Sequence, residues 1–111
     1  GIAGAVYSGC RFEDCDVYGD INIESENSAN SPIVGGMIGH ASQATISNLK
    51  FAGTMNVKSK KEENKIGAII GVVEKSLNVS SDCTYRKSGT GTLPPVGTYP
   101  EGTDISKIKG F

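Results

Sequence analysis

The sequence predicts an all-β chain folded as a short parallel β-solenoid, a β-helix-like stack of about three coils with an irregular C-terminal tail. Three observations point there. A glycine-bracketed apolar segment recurs as Gly1-Ile2-Ala3-Gly4-Ala5-Val6, Gly36-Met37-Ile38-Gly39-His40-Ala41 and Ala68-Ile69-Ile70-Gly71-Val72-Val73, at steps of 35 and 32 residues. Each copy is followed, after a short polar break, by a second stretch with period-two alternation, and no stretch carries a helical period. Self-similarity at this step implies one supersecondary unit that cannot bury its apolar face alone and stacks on its neighbours.

The units run over about 1–34, 35–66 and 67–93, with a tail over 94–111. Aligned on Gly19 and Gly53, inward columns follow: Phe12, Ile46 and Val79; Cys15, Leu49 and Cys83; Val17, Phe51 and Tyr85; then Ile21 with Met55 and Ile23 with Val57. Between the first two columns the apolar spacing widens, and the intervening pairs are Glu13-Asp14, Ser47-Asn48 and Ser80-Ser81. Such residues tolerate left-handed geometry or bond their own backbone, so each pair predicts a corner. A unit therefore reads as strand, turn, short strand, corner, longer strand and polar connection.

The connections at 24–31 (ESENSANS) and 58–65 (KSKKEENK) differ in charge, so Glu24 and Glu26 are expected to face Lys58, Lys60 and Lys61. Exposed pairs of this kind contribute about 0–1 kcal/mol each, and the loops read as solvated connectors. The third unit decays: Gly89 takes the place of Gly53 after a slip, and Gly91 that of Ile21 and Met55. The tail is rich in turn formers, which argues against a central strand. It is expected to wrap the end of the stack with Val96, Tyr99, Ile105 and Ile108.

With 11 basic and 12 acidic residues among 111, no field steers the chain toward nucleic acid or an anionic membrane. The longest apolar run, 68–73, is too short to span a bilayer, which takes about 20 residues. The chain opens inside a repeat motif and is expected to be a piece of a longer protein. The three cysteines occupy apolar columns, Cys10 with Ala44 and Leu77 and the others as above, so they read as small buried hydrophobes without disulfides.

Gly1-Ile2-Ala3-Gly4 and Gly36-Met37-Ile38-Gly39, the corner Thr45-Ile46-Ser47-Asn48-Leu49 and the strand Ala52-Gly53-Thr54-Met55-Asn56-Val57 together resemble the GLUG motif family. That family is named for a Gly-Leu-any-Gly core and recurs in bacterial surface proteins and some IgA-specific metallopeptidases, outside their catalytic domains. Leu is replaced here by Ile or Met, and Ala68 stands for the first Gly of the third copy. The resemblance covers residues 1–93 and implies an extracellular β-repeat without catalysis of its own.

Chemistry-bearing residues are few. His40 is the only histidine, aligned with Ala5 and Val72, and supplies no triad or two-histidine metal pattern. Glu13, Asp14 and Asp16 would diverge around a corner, whereas calcium takes six to eight oxygens. Outward columns of Asp20, Thr54 and Thr90 and of Asn22, Asn56 and Thr92 are too mixed for an ice-ordering threonine face. Tyr7 and Tyr18 give no repeated aromatic platform for sugars. No catalytic, cofactor-binding or metal residue is assigned, and no cofactor is expected. The expected function is a non-enzymatic segment of a larger bacterial cell-surface or secreted protein, a stalk, spacer or adhesive surface. Its expected partners are neighbouring repeats or domains of the same chain and a host or glycan surface ligand, with no nucleic acid and no membrane insertion. The alternative is a carbohydrate-binding or carbohydrate-processing module.

Overall fold

Inward apolar side chains at every second position and carbonyl-to-amide bonding between units produce strands throughout. The computed structural model describes residues 3–7, 9–25, 32–59 and 65–111. In chain order the strands are β1 (Ala3–Val6), β2 (Cys10–Glu13), β3 (Asp16–Val17), β4 (Asp20–Ser25), β5 (Val34–Gly35), β6 (Ile38–Ser47), β7 (Lys50–Phe51), β8 (Thr54–Ser59), β9 (Ile66–Gly67), β10 (Ile70–Val79) and β11 (Cys83–Tyr85). One helical turn, α1 (Lys87–Thr90), precedes β12 (Val96–Thr98) and β13 (Ile108–Gly110).

The described strand pairs are all parallel. One sheet has the order β1-β6-β10-β12 with β2 also on β6, a second β13-β11-β7-β3, and two further pairs are β4-β8 and β5-β9. Apart from β1 and β2, which both pair with β6, strands consecutive in sequence thus lie in different sheets, and each pairs with its counterpart one repeat away. We call each set of consecutive strands a tier: β1–β4, β5–β8, β9–β11 with α1, and β12–β13.

Register matches the expected columns: Phe12, Ile46 and Val79 are cross-strand partners, as are Val17, Phe51 and Tyr85, and Ile21 meets Met55 and Ile23 meets Val57. The corners form as expected in the first two tiers, where Asp14 and Asn48 have φ of 56° and 51°. In the third, four positions separate Val79 from Cys83 and no residue turns left-handed. The first strand and its successor, expected to be separate, run on as single ten-residue strands in β6 and β10.

Glycine spacing has a steric cause. A Cβ on Gly39, Gly71 or Gly97 would lie 2.7, 2.6 or 2.5 Å from the carbonyl oxygen of Gly4, Gly39 or Gly71. A Cβ on Gly53 or Gly89 would strike the carbonyl oxygen of Gly19 or Gly53. Gly89 therefore does continue the column of Gly53. Gly91 does not replace Met55, because α1 intervenes and Gly91 turns away at φ 64°.

Two short strands stand in the tail, which is otherwise turns and irregular backbone. Val96 pairs with Ile70 and Ile108 with Cys83, both in parallel, so 94–97 is a shortened further copy of the motif. Pro94 and Pro95 stand where Ala68 and Ile69 stand one tier earlier. Gly36 N donates to Ala68 O at 3.1 Å and Met37 N to Ile69 O at 2.9 Å; likewise Ala68 N donates to Pro94 O at 2.7 Å and Ile69 N to Pro95 O at 3.0 Å. Prolines serve as acceptors on this side, and lacking N–H groups they offer no donor to a further tier. Val96 and Ile108 are buried and Ile105 packs on the core, whereas Tyr99, expected to cover apolar surface, is 40% exposed.

The core runs through the tiers, with Met37, Ile38, Ile46, Phe51, Ile69, Ile70 and Cys83 fully enclosed. The first tier is different. Phe12, Cys15, Val17 and Ile21 are only half-buried, against 0–6% exposure for their partners Ile46, Leu49, Phe51 and Met55.

Candidate functional site

Two of the grooves among the described residues, together with polar ladders between tiers, carry candidate chemistry. The first place arises from chain length. Three residues separate Val6 from Cys10 and Val73 from Leu77, but two separate Ala41 from Ala44, and these positions are in register. The extra residue of the third tier appears as a register shift between Val73 and Ser76. The middle tier is therefore recessed between its neighbours, under a groove of about 430 Å3. Three columns line it: Cys10, Ala44 and Leu77 are apolar, while Arg11, Thr45 and Asn78 on one side and Gln43 and Ser76 on the other carry amides, hydroxyls and a guanidinium. Successive tiers present these groups at the strand spacing of about 4.8 Å. The guanidinium of Arg11 is partly engaged, 3.5 Å from the Glu13 carboxylate.

The second place is at the open side of the first tier. A groove of about 350 Å3 is lined by Ala3, Gly4, Ile21, Ile23 and Ile33 and reaches Val34, Gly35 and Gly39. The same tier carries the exposed carboxylates of the first corner and the strands after it. Asn48 Nδ2 donates to Asp14 Oδ1 at 2.8 Å, Thr54 Oγ1 donates to Asp20 Oδ1 at 2.6 Å, and Asp16 faces Lys50 in register. The acids thus diverge as the alternation requires. Tyr18 donates from its hydroxyl to Asp16 Oδ2 at 3.2 Å, a bond that together with the carboxylate charge holds the phenol above its ordinary pKa. Among the described residues no three His, Cys, Asp or Glu side chains are grouped to hold a metal ion.

His40 lies in register with Ala5 and Val72, as aligned, and its Nε2 is 3.5 Å from Glu74 Oε2 on the next tier. The residue is half-buried, and its ring pairs with a carboxylate that is largely in solvent. Tyr7 and Tyr18 are 70% and 63% exposed on the first tier. The expected threonine columns stop early. Asn22 meets Asn56, but Thr90 is buried with its Oγ1 donating to Arg86 O at 3.0 Å, because α1 turns it away from the outward face.

The cysteines form no disulfide. Cys83 is buried, but Cys10 and Cys15, expected to be buried also, are half-buried, since among the described residues their tier is covered on one side only. Cys15 Sγ donates to Glu13 O at 3.2 Å and Cys83 Sγ to Ser81 O at 3.6 Å, so equivalent thiols satisfy equivalent corner carbonyls. Burial pushes the Cys83 thiol above its ordinary pKa. Of the expected loop pairs, Glu24 and Lys58 are cross-strand partners, while Glu26, Lys60 and Lys61 lie outside the described residues. The recess of the middle tier and the shortened fourth copy were not read from the sequence; the unequal gaps before Cys10, Ala44 and Leu77 and the Val96-Gly97 pair were the available signals.

No family model, curated protein or solved structure matches this chain.

Proposed function

We propose that the tiers are coils of a short β-solenoid of the GLUG kind, and that the chain is a non-enzymatic repeat segment of a larger bacterial cell-surface or secreted protein. In this reading it is extracellular and acts as a stalk, spacer or adhesive surface. The observation that supports it best is the unbroken parallel register from Ala3 through Ile38 and Ile70 to Val96. Such a ladder transmits load along one axis and holds its surface side chains at fixed spacing, which is what a spacer or a repeated adhesive face needs.

The groove over the middle tier favours a second reading, a carbohydrate-binding or carbohydrate-processing module. Its paired amides and hydroxyls around an apolar strip suit a polyhydroxylated chain lying across the tiers. Glycan arrays together with an activity screen on acidic polysaccharides test both. The spacer reading expects no saturable binding and no turnover. Saturable binding that Gln43→Ala with Asn78→Ala abolishes would transfer the assignment to the carbohydrate reading.

A further inference from the structure

Among the described residues, two glycines in the first tier have no steric cause. Gly39 and Gly53 are imposed by the carbonyl oxygens of Gly4 and Gly19 beneath them, and Gly71, Gly97 and Gly89 by the tiers beneath those. Gly4 and Gly19 head the same two columns, yet a Cβ on either meets nothing within 4 Å, and neither has a left-handed φ. Glycine at such a position costs conformational entropy on folding for no gain among the described residues. The cause is restored if backbone carbonyls pass beneath Gly4 and Gly19 in turn.

We propose that the open face of the first tier is a docking surface for a parallel β-coil of this chain's own repeat type. This rests on the repeat-segment reading and names the partner of that segment. Three observations specify the occupant besides the glycines. The half-buried Phe12, Cys15, Val17 and Ile21 continue columns that are closed one tier later, so the occupant brings apolar side chains in the same register. The groove beside Gly39 corresponds to the space that the backbones of Val34 and Lys65 fill beside Gly71. A strand like β5 or β9, a branched aliphatic residue followed by glycine, enters it. Finally, Asp14 and Asp20 accept from an amide and a hydroxyl of the second tier on their covered side. Each carboxylate has a second oxygen for a donor from the other side, so the occupant carries amides or hydroxyls there. Docking is one-sided, because Pro94 and Pro95 remove the donors that the motif presents toward a further tier.

The test adds a copy of residues 36–67 directly ahead of residue 1. The added junction then repeats the native step from residue 67 to residue 68. Four proteins are compared by urea unfolding and by residue-level hydrogen exchange: the chain and the extended chain, each with and without Gly4→Ala plus Gly19→Ala. In the unextended chain the two alanines are expected to leave the urea midpoint unchanged or raised. In the extended chain the added unit is expected to unfold together with the rest, raise the midpoint, and slow exchange at Ala3–Val6 at least tenfold. The same alanines are expected to abolish these gains. Equal effects of the alanines with and without the added unit overturn the proposal, as does an added unit that melts separately, or unfolding of the unextended variant. A concentration-dependent dimer of the unextended chain that slows exchange at Ala3–Val6 would give the face to a second copy instead and likewise overturn it. Glycan binding or enzymatic turnover would unseat the repeat-segment reading while leaving these midpoints untouched, so the two failures are distinguishable.

Discussion

Asn48 donates its side-chain amide to the Asp14 carboxylate at 2.8 Å, and the two residues, one repeat apart, share the left-handed backbone conformation. The corner is thus repeated both in backbone angle and in a side-chain bond along the stack. It lets Ile46 and Leu49 both face the core although they are three positions apart in sequence.

Replacing Asn48 by Val puts a β-branched residue at positive φ and removes the bond to Asp14. The expected loss is about 1–3 kcal/mol of stability, while Asn48→Gly is expected to lose less than half of that. Urea midpoints of the two variants, measured side by side, check the order.

Ile46 is fully buried between Phe12 and Val79. Ile46→Asp leaves an unpaired charge in a dry column and is expected to cost at least about 3 kcal/mol or prevent folding. Parent-like unfolding of this variant would mean that the column is misplaced.

Gly39→Ala drives a methyl group against the Gly4 carbonyl oxygen, a backbone atom that moves only with its strand. Its expected cost is about 1–3 kcal/mol, the range for overpacking. The readout is the urea midpoint at unchanged slope.

The folded state binds the Cys83 proton more tightly than the unfolded chain does, because burial opposes the thiolate. Stability from this group is therefore complete below the ordinary thiol pKa and is lost as pH rises through that value toward the higher folded one. Thermal melts across this alkaline window are expected to show a decline that Cys83→Ala reduces. In a thiol titration of the native protein Cys83 should react last, after the half-buried Cys10 and Cys15.

Strand columns were legible because alternation and the glycine steps are local in sequence: Phe12, Ile46 and Val79 could be aligned by counting. The last tier was not, for two physical reasons. Its motif lies nearer to the third copy than the other copies lie to one another. Its two prolines also read as strand breakers, although on their paired side a strand needs only their carbonyls. The sequence predicts an outward Thr90 because nothing in Lys87-Ser88-Gly89-Thr90 signals a helical turn. The recess around Gln43 depends on a one-residue difference between neighbouring tiers, and its shape exists only after they stack. Half-burial of Cys10 and Cys15 likewise follows from their place at the end of the stack rather than from their columns.

The central claim is a parallel ladder in which β6 is paired on both sides and β1 on one. Residue-level hydrogen exchange of the monomeric chain tests it most directly. The expected result is strong protection of the bonded amides of Ile38–Ser47, with those of Ala3–Val6 exchanging at least tenfold faster. Equal protection of the two strands at dilutions where the chain is monomeric would contradict the account, since it would mean that the first tier is already covered from within.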